Sequence, residues 1–227
     1  MRTISSSQTP IIEAYVGEFA SGKSENAINR ALDLLESGRQ VTLIDLDLVA
    51  PFYTLRPIQA QLKERGLNVV TWETGKTMGL GEAGSVLRPD MRWALRREGD
   101  IILDVGYGVM GTRTLNLVEG ALTNPYLQVI AVINLCRPVT GSLDLIVDYV
   151  RSLTRVDGLL NNTHLGEETT LELVQEGARV VTQAAEMLEL PVIATAAVWE
   201  LANQMGKQDC MGNPVRGLRR FMPAAYW

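Results

Sequence analysis

The chain has 227 residues, 46% hydrophobic and 21% charged, with a formal net charge of −5. That length supports one sizeable core, the composition excludes a disordered chain, and the negative balance argues against a surface built for nonspecific nucleic-acid binding. Two distant cysteines, Cys136 and Cys210, and a single histidine, His164, exclude a disulfide framework, a zinc cluster and any site needing several imidazoles, so a reducing cytoplasm is the expected compartment.

The first ten residues, MRTISSSQTP, are polar and lack the apolar centre of a signal peptide. The apolar run 11–16 then predicts a strand. It leads into G-E-F-A-S-G-K-S, residues 17–24, which fits G-x-x-x-x-G-K-[ST]. The residue types suit a phosphate cradle. Gly17 and Gly22 let the backbone curl its N–H groups inward, Lys23 supplies a point charge, and Ser24 offers a hydroxyl to Mg²⁺. Ser21 and Glu25 complete the expected cofactor-binding set. The helix that follows carries Ala27, Ala31, Leu34 and Leu35 on one stripe and stops at Gly38.

A second strand, 40–45, runs into LIDLDLVAP. Asp45 and Asp47 stand at i and i+2, so an extended segment points both carboxylates the same way. One could order the waters of a Mg²⁺ ion and the other an attacking water. A third strand is expected at 67–72. The stretch 73–90 is too long for a simple connector, and a pocket formed there could hold an acidic substrate, using Lys76, Arg88 or nearby Arg92. The fourth strand, 100–105, ends on Asp104, ahead of Gly106 and Gly108, where a metal-linked carboxylate and a glycine-hinged loop belong.

Further strands are expected at 127–134, 156–161 and 191–197, separated by helical patterns in SLDLIVDYVRSLTR and EETTLELVQEGARVVTQAAEML. Strands alternating with helices predict one α/β domain over residues 1–227, a doubly wound and mostly parallel sheet with helices on both faces. The acidic stations at 45, 47 and 104 all fall at carboxyl ends of strands, where such sheets bind ligands. Arg137, after the fifth strand, is open to a phosphate, a partner or a surface ion pair. Arg56 is open to an anionic substrate or to solvent. Cys136 is expected as a small buried filler and His164 as a structural loop residue. The basic, aromatic stretch RGLRRFMPAAYW is expected as a helix packed back by its aromatics. No apolar run reaches membrane-spanning length.

The phosphate motif, the D-x-D-x-x-x-P of Asp45, Asp47 and Pro51, and the D-x-G of Asp104 together resemble the MinD/ParA branch of the SIMIBI class of P-loop NTPases, over nearly the whole chain. The resemblance implies ATP and Mg²⁺ as cofactors and a slow ATPase acting as a nucleotide-dependent switch. Lys23 and Asp47 would be catalytic, with Asp47 beside the attacking water. Ser24, Asp45 and Asp104 would serve the metal. Asn161 and Asn162, ending the sixth strand, match the position where this class reads the base, and residues 197–199 would cover it. The absence of N-K-x-D argues against dedicated guanine reading. Two rivals remain: a phosphotransferase or ligase of the dethiobiotin-synthetase kind, and a nucleotide-binding regulatory module with negligible turnover. Glu18 stands where MinD/ParA proteins carry a second lysine that crosses a dimer to the partner's nucleotide, so no ATP-sandwich dimer is expected. The partner is a protein or a small acidic substrate.

Overall fold

Runs that are apolar on both faces must be covered from two sides, and that requirement organises the chain. In a computed structural model the structure describes residues 9–47, 55–71 and 87–222. The strands are β1 (Ile12–Gly17), β2 (Val41–Leu46), β3 (Asn68–Val70), β4 (Asp100–Val105), β5 (Leu127–Ile133), β6 (Gly158–Asn161), β7 (Val192–Val198) and β8 (Val215–Leu218). Every residue of β1, β2, β4 and β6 is buried. They form one sheet in the order β3-β2-β4-β1-β5-β6-β7-β8, with every neighbouring pair parallel.

Helices cover both faces: α1 (Lys23–Glu36), α2 (Gln59–Glu64), α3 (Pro89–Arg92), α4 (Gly108–Thr112), α5 (Leu143–Ser152), α6 (Leu171–Leu188) and α7 (Trp199–Met205). The two-residue period of β1 divides its side chains between two cores. Ala14 and Val16 pack with Ile146 and Val147 of α5 and Val181 and Ala184 of α6. Tyr15, between them in sequence, packs on the opposite face with Ile28 and Ala31 of α1.

The register sets the site. Asp45 of β2 lies directly opposite Asp104 of β4, and Gly17 opposite Val132 of β5. The phosphate motif, both carboxylates and the turn after β5 therefore meet at the carboxyl edge of the sheet, around the point where the strand order reverses.

One expectation is corrected. Residues 215–218 are not helical: they add β8 to the outer side of β7, and the chain then runs to Met222 without helix. Phe221 is buried, with the Arg65 guanidinium 5.0 Å from its ring centre. Residues 219–222 are held from α1. The Asn29 carboxamide bonds both the N–H and the carbonyl of Arg219, and the Glu25 carboxylate accepts from the N–H groups of Phe221 and Met222. Tyr226 and Trp227, like Pro51, Lys76 and the stretch 72–86, lie outside the described residues.

Candidate functional site

The turn from β1 into α1 is built from conformations most residues avoid. Gly17 (φ 152°), Ala20 (φ 54°) and Gly22 (φ 90°) all have positive φ. A Cβ on Gly17 would come within 2.6 Å of the Val132 carbonyl, and one on Gly22 within 2.0 Å of the Asn162 amide nitrogen. No other side chain fits at either position. Helix α1 then opens at Gly22 with no side-chain cap, whereas Ser142 and Thr170 cap α5 and α6. The first-turn N–H groups of α1, at the positive end of its dipole, face the loop with no side chain competing for them.

Lys23 is buried, and its Nζ donates to the Glu18 carbonyl at 3.0 Å. Burial pushes its pKa below the usual lysine range, while Asp104, Asp47 and Glu18 pull it up. The Asp104 pKa is pushed up to about 8, first by burial and then by the Asp45 carboxylate beside it, against the pull of the Ser24 hydroxyl and Lys23. Neither Asp104 oxygen makes a full hydrogen bond among the described residues. Burial and a second carboxylate at the same register level both disfavour the ionised form of Asp104. The backbone N–H of half-buried Asp47 donates to Asp45 Oδ1 at 3.0 Å, so the i and i+2 acids form one group.

This chemistry fits a hard divalent cation: Asp104 oxygens with unused acceptor capacity, Asp45 alongside and a serine hydroxyl near them. Among the described residues no cluster of three or more His, Cys or acidic side chains could hold a metal alone. The ion would complete its shell from phosphate oxygens and water, which suits Mg²⁺.

Beside the cradle an open cleft of about 550 Å³, its mouth included, is lined by Gly22, Glu25, Asn162, His164, the end of β7 at Ala196–Val198, and Leu218–Arg220. Its largely apolar walls suit a flat apolar group such as a nucleobase. The two asparagines part here. Asn162 lines the cleft and donates from Nδ2 to the Ser21 carbonyl at 2.8 Å, pinning the cradle to β6. Asn161 faces the other way and is fully buried. Its amide donates to the Val174 carbonyl and Thr195 Oγ1 and accepts from the Thr163 backbone and hydroxyl. The expectation for Asn161 is corrected: adjacent strand residues point to opposite sides, and this one is spent on α6 and β7.

Glu25 is corrected in the same way. It lines the cleft, but its carboxylate is committed to the Phe221 and Met222 amides, and burial raises its pKa against their pull. Ser21 is buried, its hydroxyl without a partner among the described residues. The expected cover at 197–199 is the end of β7 running straight into α7, with the Trp199 ring over Gly217.

The sequence did not single out Asn134. Fully buried at the end of β5, its amide accepts from the Cys136 and His164 N–H groups and donates to the His164 carbonyl, tying the turns after β5 and β6 together. His164 lines the cleft. Burial, then Arg137 and Arg220, push its pKa down to about 4, so the imidazole is neutral at pH 7. Arg137 reaches the cradle, donating from Nε to the Ala20 carbonyl at 3.1 Å. Cys136 is half-buried. Of the cations suggested for an acidic substrate, Arg88 is engaged by the Thr71 carbonyl and Asp90, and Arg92 pairs with Glu119 at 3.7 Å.

No family model matches the chain, and neither does any curated protein. Solved structures do share its fold. The cell division protein FtsY of Thermotoga maritima aligns over 96% of this chain and 67% of its own, at 16% identity and a TM-score of 0.54. The signal recognition particle receptor FtsY of Elizabethkingia anophelis in complex with GDP aligns over 86% and 59%, at 15% identity and 0.53. FlhF complexed with GTP and Mg²⁺ aligns over 82% and 66%, at 14% identity and 0.50. The chain thus spans 59–67% of the length of these structures. At these identities the likeness is one of fold: this chain has the P-loop NTPase α/β architecture.

Proposed function

We propose that the protein binds Mg·ATP in the β1–α1 cradle, hydrolyses it slowly, and acts as a nucleotide-dependent switch of the MinD/ParA-like branch of the SIMIBI class. The observation that carries this reading is the convergence of buried Lys23 with Asp45 and Asp104 beside an uncapped helix start. The Gly17–Ser24 backbone wraps the phosphates, and Lys23 sets its charge against them. Ser24, Asp45 and Asp104 would hold the Mg²⁺, which when bound offsets charge on the phosphate oxygens. Asp47 orients the attacking water. The segments after Asp47 and Asp104 then answer to the phosphate state and change a protein partner's surface. Phe19, 44% exposed, sits edge-on to Tyr107 at 5.4 Å and belongs to that face. Among the described residues no helix is long and apolar enough to cross a membrane.

Adenine is preferred because guanine's N1–H and N2–H donors need an acceptor. The carboxylate in the cleft, Glu25, is already taken by two backbone amides. Leaving a buried donor unpaired costs about 1–3 kcal/mol. Competition calorimetry should therefore rank ATP above GTP by about that amount, and phosphate release by the purified protein should fall in Asp47→Ala while nucleotide still binds. Equal affinity for the two nucleotides would end the adenine assignment. Undiminished turnover in Asp47→Ala would end the hydrolytic one.

Glu18 bears on assembly. Its Oε1 accepts from the N–H of Phe19 at 2.8 Å, and the residue is half-exposed at the cradle's rim. A face-to-face dimer would bring two such carboxylates toward two triphosphates. Solvent screens the repulsion to about 1 kcal/mol per contact. Light scattering of an Asp47→Ala variant should show no ATP-driven dimer, and adding Glu18→Lys should promote ATP-dependent association. A dimer that forms with Glu18 in place and the cradles facing each other would refute this.

A further inference from the structure

A triphosphate entering this site meets one buried lysine and a set of acids: Asp45, Asp47, Asp104 and Glu18. The cradle carries no second cation of its own, since Glu18 follows its first glycine. The turn after β5 supplies one from outside the motif. Because β5 lies beside β1, with Val132 opposite Gly17, the residues just beyond Ile133 emerge next to the cradle.

That turn is rigidly built. The Arg137 N–H donates to the Asn134 carbonyl at 3.1 Å, the Thr140 N–H to the Arg137 carbonyl at 3.0 Å, and the Thr140 hydroxyl to the Asn134 carbonyl at 2.6 Å. Asn134 is itself fixed to the turn after β6. From this mount the half-buried Arg137 side chain reaches 117 residues back in sequence to Ala20, whose positive-φ carbonyl accepts from Nε at 3.1 Å. The two terminal nitrogens of the guanidinium make no hydrogen bond and no ion pair among the described residues. A guanidinium held by one edge, with its remaining donors uncommitted beside a phosphate cradle, is arranged for a phosphate oxygen pair.

We propose that Arg137 is a nucleotide-contacting residue, its Nε tethered to the Ala20 carbonyl and its terminal nitrogens donating to the phosphate chain of the bound nucleotide. The assignment rests on the reading of the cradle as a nucleotide site. It supplies in cis part of the positive charge that Glu18 withholds.

The test compares wild type, Arg137→Gln, Arg137→Lys and Lys23→Ala in calorimetry with Mg·ATP, Mg·ADP and adenosine, with the thermal midpoint of each nucleotide-free protein as a control. Arg137→Gln should lose about ten- to a hundredfold in affinity for Mg·ATP and Mg·ADP, the range of a hydrogen bond to a charged group. It should keep wild-type affinity for adenosine, which has no phosphate. Arg137→Lys should recover only part of the loss, because an ammonium cannot bond Ala20 and a phosphate as one planar fork. Unchanged Mg·ATP affinity in a folded Arg137→Gln overturns the proposal. So does an equal loss for adenosine and Mg·ATP, which would assign Arg137 to holding the shape of the loop alone. If Lys23→Ala loses Mg·ATP while Arg137→Gln does not, the nucleotide site stands and only the Arg137 assignment fails. If wild type binds no nucleotide, both fail.

Discussion

Lys23→Ala is expected to lower Mg·ATP affinity by at least about a hundredfold while leaving the protein folded. The ammonium is buried, and among the described residues its hydrogen bond goes to the Glu18 backbone carbonyl and to no carboxylate. Nothing in either hydrophobic core leans on it. Truncating one partner of a buried, charge-assisted contact costs about 2–5 kcal/mol, and here the ligand phosphate is the partner left unpaired. Calorimetry and circular dichroism on the same sample decide it. A folded variant with wild-type Mg·ATP affinity would remove the basis for the phosphate reading.

Asp104→Asn is expected to stabilise the nucleotide-free protein and to make nucleotide affinity insensitive to Mg²⁺. In the folded chain the carboxyl holds its proton up to about pH 8, whereas in the unfolded chain it loses it near pH 4. Between those values the folded state binds more protons than the unfolded one. Stability therefore falls as pH rises through this window. Between pH 5.5 and 8.5 the loss from this group is on the order of 3 kcal/mol. A neutral carboxamide carries no such penalty. Urea unfolding at pH 5.5 and 8.5, in metal-free buffer, should show wild type losing stability at the higher pH and Asp104→Asn holding it. The same slope in both proteins would mean that Asp104 is not the strained carboxyl.

The fold was legible wherever a strand is apolar on both faces, because that composition has few other uses. Runs such as DIILDV and LQVIAVI specify their own burial. β8 does not. Val-Arg-Gly-Leu has no strand signature of its own, and its pairing is fixed by β7 and by Asn29 and Glu25, which in sequence are only polar residues on an amphipathic helix. The cradle was legible because it is local: eight consecutive residues carry its glycines, lysine and serine. Asn161 and Asn162 could not be told apart, since only the registered sheet says which faces the cleft. Arg137 and Asn134 depend on β5 lying next to β1, a long-range adjacency that no nearby spacing encodes.

The grip of Glu25 on Phe221 and Met222 joins residues 196 and 197 positions apart. A ribosome makes the phosphate loop some two hundred residues before the opposite wall of the cleft. While the nascent chain is being made, the lysine, the serine and both carboxylates all exist before the pocket beside them has a second side. Nucleotide therefore cannot guide the early stages of folding by binding a finished cleft. Strand β8 pairs locally with β7, whereas the bonds from Asn29 and Glu25 to residues 219–222 are contacts of high sequence separation and so slow to form. Until they form, Leu34 and Ile28 of α1 share a core still missing Leu218 and Phe221, and quality control would meet the protein in that half-closed form.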